Sequence, residues 1–393
     1  VEAWPDGRDA GTESNLLVDL TLDDDQRLLA QSARQLFERT YPTSEARRAE
    51  AGPERFSAEL WAQAGELGWP GIALPEDVGG AGYGVLELAV LAEELGRAAV
   101  TLPLLTSYAA ALTVLRAGGA PARERWLGPL ATGEAVGALA LLEPDGRSER
   151  AAATVRATPT DGGWALSGTK LAVRFGARAD VLAVSADLGH GRPSVLLVPT
   201  DAAGIDRRTH ETFSPEPLAA VTFTDVAVGP DDVVGEPGGA AAVIEHALDH
   251  LGVLDTAYAV GLCDAALALA VDHASNREQF GRPIGVNQAV SHQCVDMRVD
   301  IDAMRVLVHQ AAWRLDRAAD GEDPAATRAV ALANAYARDV IPTVFARAHQ
   351  VHGAMGFTLE YDLQLFSRRA KSYELTGGGA AWHLERVADA LGL

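Results

Sequence analysis

Leu28, Leu29, Ala33 and Leu36 fall near helical spacing in the stretch DDDQRLLAQSARQLFERTY, and acidic residues occupy its start, where they favour a helix N-terminus. VLELAVLAEELGRAA repeats the same one-sided apolar pattern, so residues from about Leu20 to Gly133 read as an all-α block. Near Ala151 the period changes. Short runs rich in Val and Thr, such as DVLAVSA, PSVLLVPT and AAVTFTDVAV, are separated by Gly, Asp and Pro. About seven such runs end near Pro237 and predict a small antiparallel barrel or sandwich. From Ala240 onward helix returns. Val290, Cys294, Met297, Ile301, Met304, Val308, Ala311 and Leu315 alternate spacings of four and three, the stripe that a long helix in a four-helix bundle needs. Long helices are predicted before it, about Ala241 to Ser275, and after it, about Pro324 to Val351.

The pattern gives an α+β chain in four parts: a loose polar arm over 1–19, a helical domain over 20–133, a β domain over 134–238 and a helical bundle over 239–393. Composition narrows the class. A 48% hydrophobic content suits a globular protein with substantial cores, and a net charge of −21 argues against nucleic acid and anionic membrane as partners. Cys263 and Cys294 lie in helical sequence with apolar neighbours and read as small core residues. No closely spaced His/Cys cluster supports a metal, and no uninterrupted apolar run of about 18 residues supports a membrane span, so a cytoplasmic protein is expected.

Two stretches carry chemistry. REQFGRPIGVNQAVSH, Arg277 to His292, is an interhelical turn holding an arginine that can fork onto phosphate, a phenylalanine that can stack on a base, and a glutamine for ribose or phosphate oxygens. Later, QVHGAMGFTLEYDLQLFSRRAKSY, Gln350 to Tyr373, sets a glycine-containing loop after a helix and leads into a basic segment. In this order, after a small β domain, the Arg-x-x-Phe-Gly and Gln-x-x-Gly-x-x-Gly-Phe pair resembles the acyl-CoA dehydrogenase flavoproteins. The resemblance runs from LDDDQRLL through GWPGIALPEDVGGAG to the last helix.

That resemblance implies an N-terminal helical domain, a middle β domain and a C-terminal four-helix bundle, assembled as a dimer of dimers. It implies FAD as cofactor, an acyl-CoA or carrier-bound acyl thioester as substrate, and electron-transfer flavoprotein as acceptor. In the family the ADP half of FAD is held in trans by residues that match Arg277, Phe280, Gln288 and Gln350, with Gly353 beside the pyrophosphate. The cis half departs from the pattern. Where the family reads Thr-Glu-Pro, this chain has Leu142, Glu143 and Pro144; where it reads Lys-x-Trp-Ile-Thr, this chain has Lys170, Ala172 and Arg174, so an aromatic platform and a hydroxyl are missing.

The base is missing as well. Counting from RRAKSY, the family glutamate falls on Gly378, within the run Gly377 to Gly379, which reads either as a helix stop or as space left for a ligand on the floor of the acyl pocket. Some relatives place the base on the first bundle helix, about 26 residues before Arg277, and Leu251 stands there. Asp255 is the nearest carboxylate, with Asp249 and Glu374 more remote. Three readings stay open: a subunit of a heteromeric enzyme of the kind that actinobacterial relatives use for steroid-CoA or other bulky thioesters, an active homotetramer whose base is relocated to a residue such as Asp255, or a non-enzymatic binding scaffold.

Overall fold

The computed structural model describes residues 20–144, 154–189, 191, 193–213, 215–318 and 323–393; the arm over 1–19 and the residues following Pro144 in LLEPDGRSER lie outside the described residues. Among the described residues six α-helices come first: α1 (Asp24–Thr40), α2 (Thr43–Ala51), α3 (Ala58–Glu66), α4 (Val85–Arg97), α5 (Leu104–Ala117) and α6 (Ala120–Thr132). The start of α1 is fixed by a capping box in which Asp23 accepts from the Gln26 amide and the Gln26 side chain accepts from the Asp23 amide. α4 is capped from far away: Asp316 accepts from the Val85 and Leu86 amides, tying the N-terminal domain to the bundle.

Among the described residues eight strands form one mixed sheet: β1 (Gly137–Ala140), β2 (Arg156–Thr160), β3 (Gly163–Arg174), β4 (Val181–Asp187), β5 (Pro193–Pro199), β6 (Ile205–His210), β7 (Leu218–Val228) and β8 (Val233–Val234). Their order is β6-β7-β3-β2-β4-β5-β8, with β1 beside β4. The sheet is not wholly antiparallel, because β1 and β2 both run parallel to β4. Both reach β4 through crossovers, a relation that a reading of one strand at a time does not register. β3 carries two register shifts against β7, and at the second Ala172 sits in the left-handed region with φ 48°.

The bundle consists of α7 (Ala240–Asn276), α8 (Gln288–Arg317), α9 (Pro324–His352), α10 (Leu363–Glu374) and α11 (Ala380–Leu391), with a short hairpin, β9 (Glu278–Gln279) and β10 (Arg282–Pro283), between α7 and α8. The stripe on α8 is core from Met297 to Leu315, while Val290 and Cys294 at its start are only partly covered. Cys263 is wholly buried, so the core reading holds for it and only half holds for Cys294. α7 is apolar enough and long enough to cross a membrane by composition, but 78% of its apolar window is buried among α4, α5, α8, α9 and α10. Its hydrophobicity on every side is that of a central bundle helix. Among the described residues no cluster of His, Cys, Asp or Glu could hold a metal.

Candidate active site

One end of the bundle gathers the phosphate-binding candidates. His273 near the end of α7 stacks on His352 at the end of α9, ring centroids 4.8 Å apart, and this contact brings Arg277 and the Gln350–Gly353 segment to the same end. The hairpin that follows α7 turns through Phe280 and Gly281, with φ of 57° and 79°. A two-residue hairpin loop asks for positive φ at both positions, which glycine adopts freely and phenylalanine does not. The Phe280 ring is fully exposed. Phe280 is thus an aromatic held in a sparsely populated backbone conformation and out in solvent. Arg277, Gln288 and Gln350 are exposed too, and their side chains make no bond among the described residues. Gly353 has φ 64°, and a Cβ placed there would meet nothing within 4 Å. Beside it a groove of about 490 Å³ runs between α9 and α10 past His349, Gln350, Gly353 and Phe357.

A second site lies where the three domains meet. Its apolar wall comes from α4, α5 and the chain between them through Leu95, Val100, Leu102 and Leu105, and its floor from β3, α7 and α10 through Arg174, Asp255, Tyr258 and Tyr373. The Arg174 guanidinium donates through Nε to Glu216 Oε1 and through Nη1 to Asp255 Oδ2, each at 2.7 Å. Burial in this cavity pulls against the charge on Arg174, but the two carboxylates outweigh it and raise its pKa further. Burial dominates at Glu216 and pushes its pKa upward despite the arginine. The centres of water-sized molecules have about 70 Å³ in this cavity, against about 490 Å³ in the groove beside Gly353.

On the same strand as Arg174, the β domain holds a buried ion pair. Lys170 is wholly inaccessible and donates from Nζ to Glu143 Oε1 at 2.6 Å, to Ser185 Oγ at 2.9 Å and to the Leu141 carbonyl at 3.1 Å. Glu143 also accepts from the Thr154 and Val155 amides. Burial would raise its pKa, but Lys170 and Thr154 outweigh burial and bring it down to about 2. Glu143 and Lys170 therefore lock β1, β3 and β4 together. Leu142 accepts the Leu171 amide through its carbonyl.

The remaining carboxylate candidates do not converge on the cavity. Asp249 is bound to Arg386 at 2.9 Å and Glu374 to Lys371 at 2.7 Å. Leu251 is buried core. The three glycines do not line the cavity floor as the resemblance suggested; Thr376 does, and Gly377 to Gly379 lie exposed beyond it. Gly377 and Gly378 have φ of 69° and 94°, and a Cβ on Gly378 would stand 2.6 Å from the Trp382 ring. The run is a helix stop between α10 and α11, fastened by Arg338 donating to the Thr376 carbonyl and by a 3.0 Å contact from His383 Nε2 to the Gly377 carbonyl. Glu216 was not legible beforehand: it lies 42 residues from Arg174 in a loop without a motif.

Comparison with known proteins places this geometry. Family models match along the chain: acyl-CoA dehydrogenase N-terminal domain over 23–134, middle domain over 138–226 and C-terminal domain over 238–392. Acyl-CoA dehydrogenase FadE12 of Mycobacterium tuberculosis is 30% identical over 324 residues, covering 80% of this chain and 83% of that protein. Among solved structures, a Tcur3481-Tcur3483 steroid ACAD variant is 32% identical with TM-score 0.83, covering 94% of this chain and 98% of its own. The ChsE4-ChsE5 complex from Mycobacterium tuberculosis is 27% identical with TM-score 0.86, covering 95% and 99%.

Proposed function

The chain belongs to the acyl-CoA dehydrogenase family of FAD-dependent oxidoreductases, and from that premise we propose that it serves as a subunit of a heteromeric enzyme, contributing half of a shared flavin site and no base of its own. The observation that carries this reading is the commitment of both cavity carboxylates, Asp255 and Glu216, to Arg174. A general base needs a free lone pair within reach of the substrate proton. Asp255 has one oxygen engaged by a guanidinium at the cavity floor, and positions 251 and 378 carry no carboxylate.

FAD, when bound, supplies the acceptor for the hydride that leaves the acyl β-carbon. This chain's residues fit one half of that cofactor. Arg277, Gln288 and Gln350 offer exposed donors that make no bond among the described residues, Phe280 offers a ring face, and Gly353 leaves its backbone open to a pyrophosphate. They fit a cofactor seated on a neighbouring subunit. The other half does not fit: Ala172 has no ring to lay on a flavin, and Arg174 stands charged and engaged where the family places a hydroxyl. Val295, Val299 and Val306 lie exposed along α8, apolar surface that a sister subunit would cover. Two solved relatives named for pairs of chains, ChsE4-ChsE5 and Tcur3481-Tcur3483, are a precedent for such an assembly, and the second is named as a steroid ACAD.

In this reading the arm over 1–19 precedes a helical domain over 20–133, a β domain over 134–238 and a bundle over 239–393. The assembly is cytoplasmic, takes a bulky acyl-CoA or carrier-bound thioester and passes electrons to electron-transfer flavoprotein. The test is the FAD-to-chain ratio and solution mass of the chain purified alone and with a candidate sister subunit. The expected result is substoichiometric FAD alone, with flavin and turnover gained on co-expression. A yellow homotetramer with one FAD per chain that is bleached anaerobically by acyl-CoA would overturn it.

A further inference from the structure

The cavity beside Arg174 faces the two segments in which the family carries its base, α7 at Asp255 and the chain after α10 at Thr376, so it stands where an acyl group would have to lie. We infer that Arg174, pinned by Glu216 and Asp255, sets what this cavity admits and shuts it to hydrocarbon acyl chains. The inference deepens the heteromeric reading and rests on it for where the acyl group goes instead, namely the sister subunit's cavity.

Three observations converge. The first is reach: Arg174 extends from the end of β3 between Glu216, ahead of β7, and Asp255 on α7, so one side chain spans the cavity and staples the sheet to the bundle. The second is volume: the centres of water-sized molecules have about 70 Å³ here, against about 490 Å³ in the groove beside Gly353. The third is solvation. A methylene chain pressed against this triad would strip water from three charged groups and offer no hydrogen bond in return, and a site built of polar partners discriminates strongly against a ligand that cannot pair with them. The apolar wall of Leu95, Val100, Leu102 and Leu105 remains, so removing the charges would uncover an apolar pocket.

The readout is the dependence of affinity on chain length, measured by calorimetric titration of the full chain with CoA, butyryl-CoA and octanoyl-CoA. Each buried methylene tightens binding by about fourfold. For the native chain, butyryl- and octanoyl-CoA are expected to bind within about twofold of each other. For the folded variant Arg174→Thr/Glu216→Gln/Asp255→Asn, octanoyl-CoA is expected to bind more than about tenfold tighter than butyryl-CoA. Tenfold tightening in the native chain overturns the inference without help from any variant. Absence of a chain-length effect in the variant, with native circular dichroism and mass, overturns it as well. The FAD-to-chain ratio of the same samples reads the heteromeric proposal separately: a stoichiometric flavin with a flat chain-length series would sink that proposal and leave the seal standing.

Discussion

Arg174 Nη1 and Asp255 Oδ2 lie 2.7 Å apart, although the two residues are separated by 81 positions and belong to different domains. In the proposed heteromeric reading the pair holds Asp255 in a structural role. Asp255→Asn is therefore expected to leave substrate bleaching of the assembled flavin unchanged, while lowering stability by about 1–2 kcal/mol through loss of a charge-assisted bond in a partly exposed place. Anaerobic absorbance at the flavin band, with a urea titration of the same sample, checks both halves. Loss of bleaching with FAD retained would make Asp255 the base.

Restoring the family residue at position 378 is not expected to restore chemistry. Gly378→Glu meets φ 94° and the Trp382 ring at 2.6 Å from its Cβ, so a drop of about 1–2 kcal/mol and no gain in turnover are expected. Thermal melts and octanoyl-CoA assays of the variant decide this; measurable turnover would mean that the loop rearranges readily.

The exposed hairpin predicts a trade between stability and cofactor. Phe280→Gly relieves a left-handed phenylalanine that packs against nothing among the described residues, so the isolated chain is expected to gain about 1 kcal/mol. The assembled enzyme is expected to lose FAD on gel filtration. If the variant instead loses stability alone and the assembly keeps its flavin, Phe280 is not a cofactor contact.

Lys170→Met strands the Glu143 carboxylate in the β domain, and removing one partner of a buried pair costs about 3–5 kcal/mol. Adding Glu143→Gln is expected to recover part of that loss, because it removes the stranded charge while its single amide oxygen keeps an acceptor for one of the Thr154 and Val155 amides, which bond different carboxylate oxygens. Denaturant midpoints of the single and double variants measure the coupling; equal destabilisation in both would show that packing, not charge, dominates.

Acid sensitivity comes from two histidines between α5 and α7. Burial, then neighbouring His246 and Arg116, brings His250 down to about 3, and burial with Arg116 brings His246 down to about 4. Both are neutral in the folded chain at neutral pH and gain protons on unfolding below about 6.5. Their contribution is complete above about pH 6.5 and is lost as pH falls toward those folded values, with a slope of about 1.4 kcal/mol per pH unit for His250. His250→Gln, which keeps a partner for the Tyr108 hydroxyl, is expected to flatten this slope. A slope unchanged between pH 6.5 and 4 would remove His250 as its source.

Much of this architecture can be read along the chain, because it follows from local periodicity. The stripe from Met297 to Leu315 specifies a buried helix face wherever that helix packs, and alternating Val and Thr runs specify strands. The hairpin motif from Arg277 to Gln288 is equally local, since turn, aromatic and glutamine lie within a dozen positions. The sequence by itself therefore determined the order of helical, β and helical parts, the residues proposed to meet a phosphate, and the absence of a carboxylate at Gly378 and Leu251. Tertiary structure decided what stands in that absence. Arg174, Glu216 and Asp255 meet only because β3, the loop before β7 and α7 converge, and charges so far apart in sequence carry no periodic signal of pairing. The glycine run shows the same limit: its positive φ values and the Trp382 ring beside it, both set by how α11 packs back on α9, make it a turn outside the cavity.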